Sequence, residues 1–85
     1  MVEFDDIRQL IGELLLLGDR IEKIGPDTPL VGGIPEFDSM AAVTLIHALE
    51  ERFGIWVEDD EIGAEVFETF GNVHEFVLDK IAAGA

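Results

Sequence analysis

A segment with helical periodicity, framed by residues that start and stop helices, is the strongest structural signal in this chain. Its apolar residues recur at steps of about 100° and form one stripe, which consists of Ala42, Leu45, Ile46, Leu49 and Phe53. Asp38, a preferred N-cap residue, directly precedes the segment. Gly54 follows it, at the position where glycine commonly ends a helix. We therefore predict an amphipathic helix from Ser39 to Phe53 that buries one face against other helices.

Three further segments have the same periodicity. The first runs from about Glu3 to Leu17, and a short one runs from about Glu61 to Thr69. The last extends to about Ala83, and Asn72 and Glu75 have the spacing of a capping box at its start. These segments predict an all-α fold, a small four-helix bundle with a short third helix.

The connection from Gly18 to Phe37 is long and rich in glycine and proline. Loops of this length inside a compact domain are usually functional or locally anchored. Apolar residues between the helix breakers predict such anchors, namely Ile21, Ile24, Leu30, Val31 and Ile34. We expect an ordered loop with a helical turn near Asp19 to Ile24.

Composition limits the size of the fold and the kind of partner. The 85 residues are enough for one small domain, 1–85, and 48% of them are apolar, so a core can form. The chain carries 19 acidic and 5 basic residues, a formal net charge of −14. This charge argues against nucleic acid and anionic membranes, and it favours basic protein partners. We expect a monomer.

The N-terminus and the cysteine content bear on location and chemistry. The first six residues are acidic where a secretory signal is basic, and the apolar run Leu14–Leu17 is too short to span a bilayer. We therefore expect a cytoplasmic location. Because the chain has no cysteine, any thioester chemistry needs a sulfur atom from outside the chain.

Ser39 lies in the first turn of the predicted central helix. Unsatisfied backbone N–H groups and the positive end of the helix dipole favour a phosphoryl group at such a position. On spacing alone, an ordinary first-turn residue is the better interpretation of Ser39. A nucleophilic serine would need a base within hydrogen-bond reach, and His47 lies two turns further along. Esterase activity is therefore disfavoured.

Metal-binding patterns are weak in this sequence. His47 and His74 lie on different predicted helices, and no cysteine accompanies them. The acidic run Glu58–Glu61 lacks the alternating ligands and the central glycine of an EF-hand loop. We expect no dedicated metal site.

The stretch from Glu36 to Ile55 resembles the acyl carrier protein family. The family pattern is Asp-Ser-Leu at the start of a helix and Leu-Glu-Glu-x-Phe at its end. Here the start is Asp38-Ser39-Met40 and the end is Leu49 to Phe53. The match continues through residues 57–62, and the acidic balance, helix order, long first loop and short third helix extend it over the chain.

This resemblance implies a function. In the family, the serine carries 4′-phosphopantetheine, which a dedicated transferase installs from coenzyme A. By position that serine is Ser39, with Asp38 and Met40 beside it. The thiol of the arm holds acyl groups as thioesters, and the carrier itself is not catalytic. The implied partners are the phosphopantetheinyl transferase and acyl-transferring, ligase or synthase enzymes with basic docking surfaces.

The resemblance also suggests where partners and cargo bind. Acidic residues would dock on basic partner rims, since such pairs tune encounter and register; they are Glu50, Glu51, Glu58, Asp59, Asp60 and Glu61. Apolar residues between the second and third helices would line an acyl pocket, although each also fits an ordinary core position; they are Val43, Ile46, Leu49, Ile62, Val66 and Phe67.

Some residues depart from the family pattern. Met40 replaces the usual leucine, and Ala41 and Thr44 stand where carriers of fatty acid synthesis usually have acids. These departures suggest a specialised stand-alone carrier outside the main fatty acid pathway. An aminoacyl, peptidyl or polyketide carrier is an alternative. A noncovalent acidic adaptor, in which Ser39 is incidental, is another.

Overall fold

The computed structural model describes residues 2–84, apart from the side chain of Asp59. Three α-helices form its frame: α1 is Phe4–Leu14, α2 is Ser39–Phe53 and α3 is Phe70–Gly84. Three 3₁₀ helices lie between them, at Gly18–Lys23, Asp59–Glu61 and Ala64–Phe67. No strand forms within these residues. The predicted all-α fold class, a small four-helix bundle with a long first loop and a short third helix, is confirmed, and the short third helix consists of 3₁₀ turns.

The core lies where the three α-helices meet the loop and the third 3₁₀ helix. Its largest fully buried side chain is Phe70, at the start of α3. Burial of apolar surface, to which such side chains contribute, is the main favourable term in folding. The buried cluster consists of Ile7, Ile11, Leu15, Leu17, Ile24, Leu30, Leu45, Leu49, Val66, Phe67, Phe70, Val73 and Val77.

The helix α1 ends three residues earlier than predicted. Leu16 takes a left-handed conformation with φ 56°, and the N–H of Leu17 donates to the carbonyl of Gly12 at 2.9 Å. With the bond from Leu16 to Glu13, this is a Schellman motif in which leucine occupies the usual glycine position. Leu16 is 86% exposed, whereas Leu15 and Leu17 are buried beyond the helix end. The apolar stripe therefore continues after the helix stops.

The long first loop is ordered, as predicted, and backbone hydrogen bonds fix it. The N–H groups of Leu30 and Val31 donate to the carbonyls of Glu68 and Phe67, at 2.9 and 3.0 Å. Pro29 and Thr69 form an isolated antiparallel bridge. The predicted helical turn is the 3₁₀ helix Gly18–Lys23. All the predicted anchors pack on the core except Val31, which is 55% exposed.

Two predicted boundaries in the second half of the chain were wrong. The segment predicted as one helix, 61–69, consists of parts of two 3₁₀ helices, because the backbone of Phe67 and Glu68 pairs with the first loop. The final helix begins at Phe70, so it starts before Asn72, the predicted N-cap. The hydroxyl of Thr69 accepts a hydrogen bond from the N–H of Asn72 at 3.0 Å, which is an N-cap interaction.

None of the helices in residues 2–84 combines the length and the apolar character that crossing a bilayer requires.

Candidate functional site

Ser39 is the first residue of α2, and its neighbour Asp38 is the N-cap. The carboxylate of Asp38 accepts a hydrogen bond from the N–H of Ala41 at 2.8 Å, and its carbonyl accepts one from Ala42. The predicted start and end of this helix are both confirmed, and Gly54 ends it in a left-handed conformation. Ser39 is exposed. The helix therefore carries a serine accessible to solvent at the positive end of its dipole.

Ser39 also differs from every other hydroxyl-bearing residue in the chain. It is the only serine, the chain has no tyrosine, and there are three threonines. The hydroxyls of Thr28 and Thr69 accept from backbone N–H groups, and that of Thr44 donates to the carbonyl of Met40 at 3.0 Å. The hydroxyl at the helix start thus fits a phosphate ester better than the other three, since each threonine has a backbone partner.

The turn before Ser39 is held from two sides. The ring of Phe37 packs against that of Phe67 in the third 3₁₀ helix, with centroids 5.4 Å apart. Glu36 forms an ion pair with Arg20 of the first 3₁₀ helix. The hydrogen bond from Arg20, with one to the carboxylate from the backbone N–H of Glu36 itself, lowers the pKa of Glu36. These contacts, which sequence reasoning missed, hold the start of α2 against the rest of the bundle.

The geometry around Ser39 provides no hydrolytic dyad. His47 is exposed on α2, eight residues further along, which is about 12 Å on the helix axis. The other histidine, His74, lies on α3, and its Nε2 is 2.9 Å from the carbonyl oxygen of Val2, just before α1. Its ring meets that of Phe4 edge-on. His74 is therefore partly buried and takes part in packing.

No group of three potential metal ligands comes together among the described side chains. In the acidic run, Glu61 pairs with Lys80 of α3 at 2.7 Å and accepts from the N–H of Glu58. The Lys80 bond is the main cause, and the Glu58 bond the second, of a lowered pKa at Glu61. Through these two bonds, the carboxylate of Glu61 holds the 57–61 segment in place.

The predicted docking acids lie near the C-terminal end of α2 and in the segment that follows it, whereas Ser39 begins this helix. Glu50 accepts a hydrogen bond from the N–H of Val57 at 3.0 Å, which ties the 57–61 segment to the C-terminal half of α2. Glu51, Glu58 and Asp60 are exposed. The side chain of Asp59 lies outside the described part of the structure. The docking role of these six acids stays a prediction.

The predicted acyl-pocket residues are packed rather than arranged around a cavity. Leu49, Val66 and Phe67 belong to the buried core, and Ile46 and Ile62 pack against it. Val43 instead is 53% exposed on the outer face of α2, so it does not face the interior. A pocket at this place would have to open by moving the third 3₁₀ helix.

A cavity of about 590 Å³ lies at the other end of the bundle. It is lined by the end of α2, the end of α3 and the segment between Gly54 and Glu61, and Trp56 contributes to its wall. Trp56 is 71% exposed, and its Nε1 donates to Glu58 at 2.6 Å. The described lining of this cavity includes none of the six pocket candidates.

Comparison with known proteins finds similarity to one family. The family described as "phosphopantetheine attachment site" matches residues 5–77. An acyl carrier protein of Sulfurovum sp. is 32% identical over 77 residues, which is 91% of this chain and 96% of that protein. One from Thermosynechococcus vestitus is 39% identical over 62 residues, 73% of each chain.

A solved structure is also similar over nearly the whole chain. It is the solution NMR structure of a holo acyl carrier protein from Nitrosomonas europaea, which is 44% identical in sequence. The match covers 96% of this chain and 99% of that one, with a TM-score of 0.87.

Proposed function

Because the chain belongs to the acyl carrier protein family, whose prosthetic group is phosphopantetheine, we propose that Ser39 is the residue that bears this group. The observation that carries the proposal is the exposure of this one serine at the N-terminus of α2. Each of the other hydroxyls has a backbone partner. When bound, the group supplies the thiol that holds an acyl chain as a thioester.

The protein's own residues position the attachment point. Asp38 caps α2 through Ala41, so Ser39 stays at the helix start, where the residue is exposed. The helix dipole favours the charge of a phosphodiester there. Phe37 and Glu36 hold the preceding turn through Phe67 and Arg20. The chain thus acts as a carrier and cosubstrate, and the chemistry belongs to partner enzymes of acyl transfer.

We expect incubation with coenzyme A and a broad-specificity phosphopantetheinyl transferase to add one arm to the protein. Intact mass spectrometry measures the gain. The variant Ser39→Ala should gain nothing, because it lacks the acceptor oxygen. Thr44→Ala serves as the hydroxyl control and should reach one arm at the end point. A full mass gain in Ser39→Ala would refute the assignment.

The acyl pocket forms a second part of the proposal. The packing of Leu49, Val66 and Phe67 supports a pocket that is closed without cargo and opens between α2 and the third 3₁₀ helix. In that arrangement, the acyl chain replaces contacts that core side chains make with each other. Burial of each methylene contributes roughly 0.8 kcal/mol, which favours opening for longer chains.

A further inference from the structure

The acids of this chain are unevenly distributed around Ser39. The stretch Ser39–Leu49 contains no aspartate or glutamate, and it is the longest acid-free stretch in a sequence with 19 acids. The two acids nearest to it in sequence each have a partner, since Asp38 caps the helix and Glu36 pairs with Arg20. The first three turns of α2 thus carry no aspartate, glutamate, lysine or arginine side chain, although the protein as a whole is strongly negative.

Exposed apolar side chains occupy these first turns. Met40 is 75% exposed and Val43 is 53% exposed, and the exposed His47 follows one turn later. Positions separated by three and four residues lie on the same face of a helix. We call these three residues the α2 docking face. The core contacts of α2 are made by buried residues such as Leu45 and Leu49. Packing of the bundle therefore does not explain the exposed apolar residues of the docking face.

The six predicted docking acids, which we call the acidic cluster, lie at the other end of the same helix and in the segment after it. The first acid after Ser39 is Glu50, which is about 16 Å further along the axis at 1.5 Å per residue. Glu50 and Glu61 make internal bonds to Val57 and Lys80. The structure thus separates the site of modification from most of the acids that were predicted to dock.

From this separation we infer that the enzyme which modifies Ser39 binds the α2 docking face through a mainly apolar surface rather than through a basic rim. This inference rests on the proposed attachment at Ser39, and its partner is the phosphopantetheinyl transferase of the host. That enzyme must bring its active site to Ser39, and Met40 and Val43 are exposed beside it. Apolar contact is nearly independent of ionic strength, whereas pairing of exposed charges weakens with salt.

Loading kinetics with purified host transferase and coenzyme A test the inference. Val43→Glu places a charge in the docking face, and Met40→Gln removes apolar contact without adding charge. The matched control is the double variant Glu58→Gln/Asp60→Asn, which neutralises two exposed acids of the distant cluster. Circular dichroism checks that each variant keeps its helices, and intact mass spectrometry gives the loading rate as kcat/KM and the end point.

We expect Val43→Glu to lower kcat/KM at least about tenfold and Met40→Gln about threefold, as apolar anchors dominate binding energy. The double control should change it less than about twofold, as should raising NaCl from about 0.05 to 0.5 M. A wild-type rate in Val43→Glu, or a loss of about tenfold in the control or in high salt, overturns the inference. In that case one arm is still added at the end point, so attachment at Ser39 survives. If no arm is ever added to the unmodified protein, both proposals fail.

Discussion

The single residue Gly12 shows why a helix interior can contain glycine, the least favourable residue there apart from proline. It lies in the middle of α1 and is buried. A Cβ atom at this position would meet the side chain of Ile21 from the first 3₁₀ helix. Glycine costs a helix interior about 1 kcal/mol relative to alanine. The close approach of Ile21 therefore accounts for glycine here, where the sequence pattern shows only a weakened helix.

We predict that Gly12→Ala destabilises the protein by about 1–2 kcal/mol, because overpacking outweighs the gain in helix propensity. Urea unfolding measures the change. In the background Ile21→Ala, where the obstructing side chain is gone, the same substitution should be neutral or stabilising. A destabilisation of equal size in both backgrounds would show that Ile21 is not the cause.

At the scale of elements, sequence prediction succeeded where local signals coincide. For α2, the N-cap Asp38 and the left-handed Gly54 lie at the ends of one apolar stripe, and both boundaries were predicted correctly. For α1, the apolar stripe continues through Leu15 and Leu17. Leu16 takes the left-handed conformation that glycine usually adopts at the end of a helix. No local pattern indicates that end.

The region before α3 depends on partners that are distant in sequence. Leu30 and Val31 pair with the backbone of residues 67–68, so this stretch cannot continue as a regular helix. Periodicity reports only on neighbours within a few turns. The start of α3 did have a local signal, since Thr69 is also a good N-cap residue, but Asn72 competed with it. The same limit hid the contacts of Arg20 and Phe37 around the attachment turn.

The ion pair between Glu61 and Lys80 joins the second 3₁₀ helix to α3 and makes stability depend on pH. The hydrogen bond from Lys80, then that from the Glu58 backbone, lowers the pKa of Glu61 in the folded state. A lowered carboxyl pKa stabilises the fold above the unfolded value of about 4.3. This contribution is lost as the pH falls through the lowered folded value.

We therefore predict that Glu61→Gln reduces the free energy of unfolding at pH 7 and has progressively less effect as the pH falls below about 4.3. Urea unfolding of both proteins at several pH values between 7 and 3 measures this convergence. Asp79→Asn, at an exposed carboxylate on the same helix as Lys80, is the control and should follow the unmodified protein. A constant difference for Glu61→Gln across this range would exclude titration of the ion pair as its cause.

At the scale of the whole molecule, the main question is how a closed bundle accommodates cargo. Apart from Val43, the candidates for the acyl pocket belong to, or pack against, one continuous core that α1 and α3 share. Val66 and Val77 are both buried in this core, but Val66 lies in the third 3₁₀ helix and Val77 in α3. An acyl chain that enters between α2 and the 3₁₀ helix would contact the first valine and leave the second unchanged. The two residues are therefore a matched pair for locating the chain.

We predict that Val66→Ala and Val77→Ala each destabilise the holo protein by roughly 2 kcal/mol, through lost contacts and the cavity that remains. Attachment of an octanoyl group should restore part of this loss in Val66→Ala, because the chain fills the space beside the third 3₁₀ helix. It should restore none in Val77→Ala. Urea unfolding of the octanoyl and acetyl forms of each variant gives the comparison, with acetyl as the group too short to reach the core. Equal recovery in both variants would place the chain elsewhere, and no difference between octanoyl and acetyl would show that the chain stays outside the bundle.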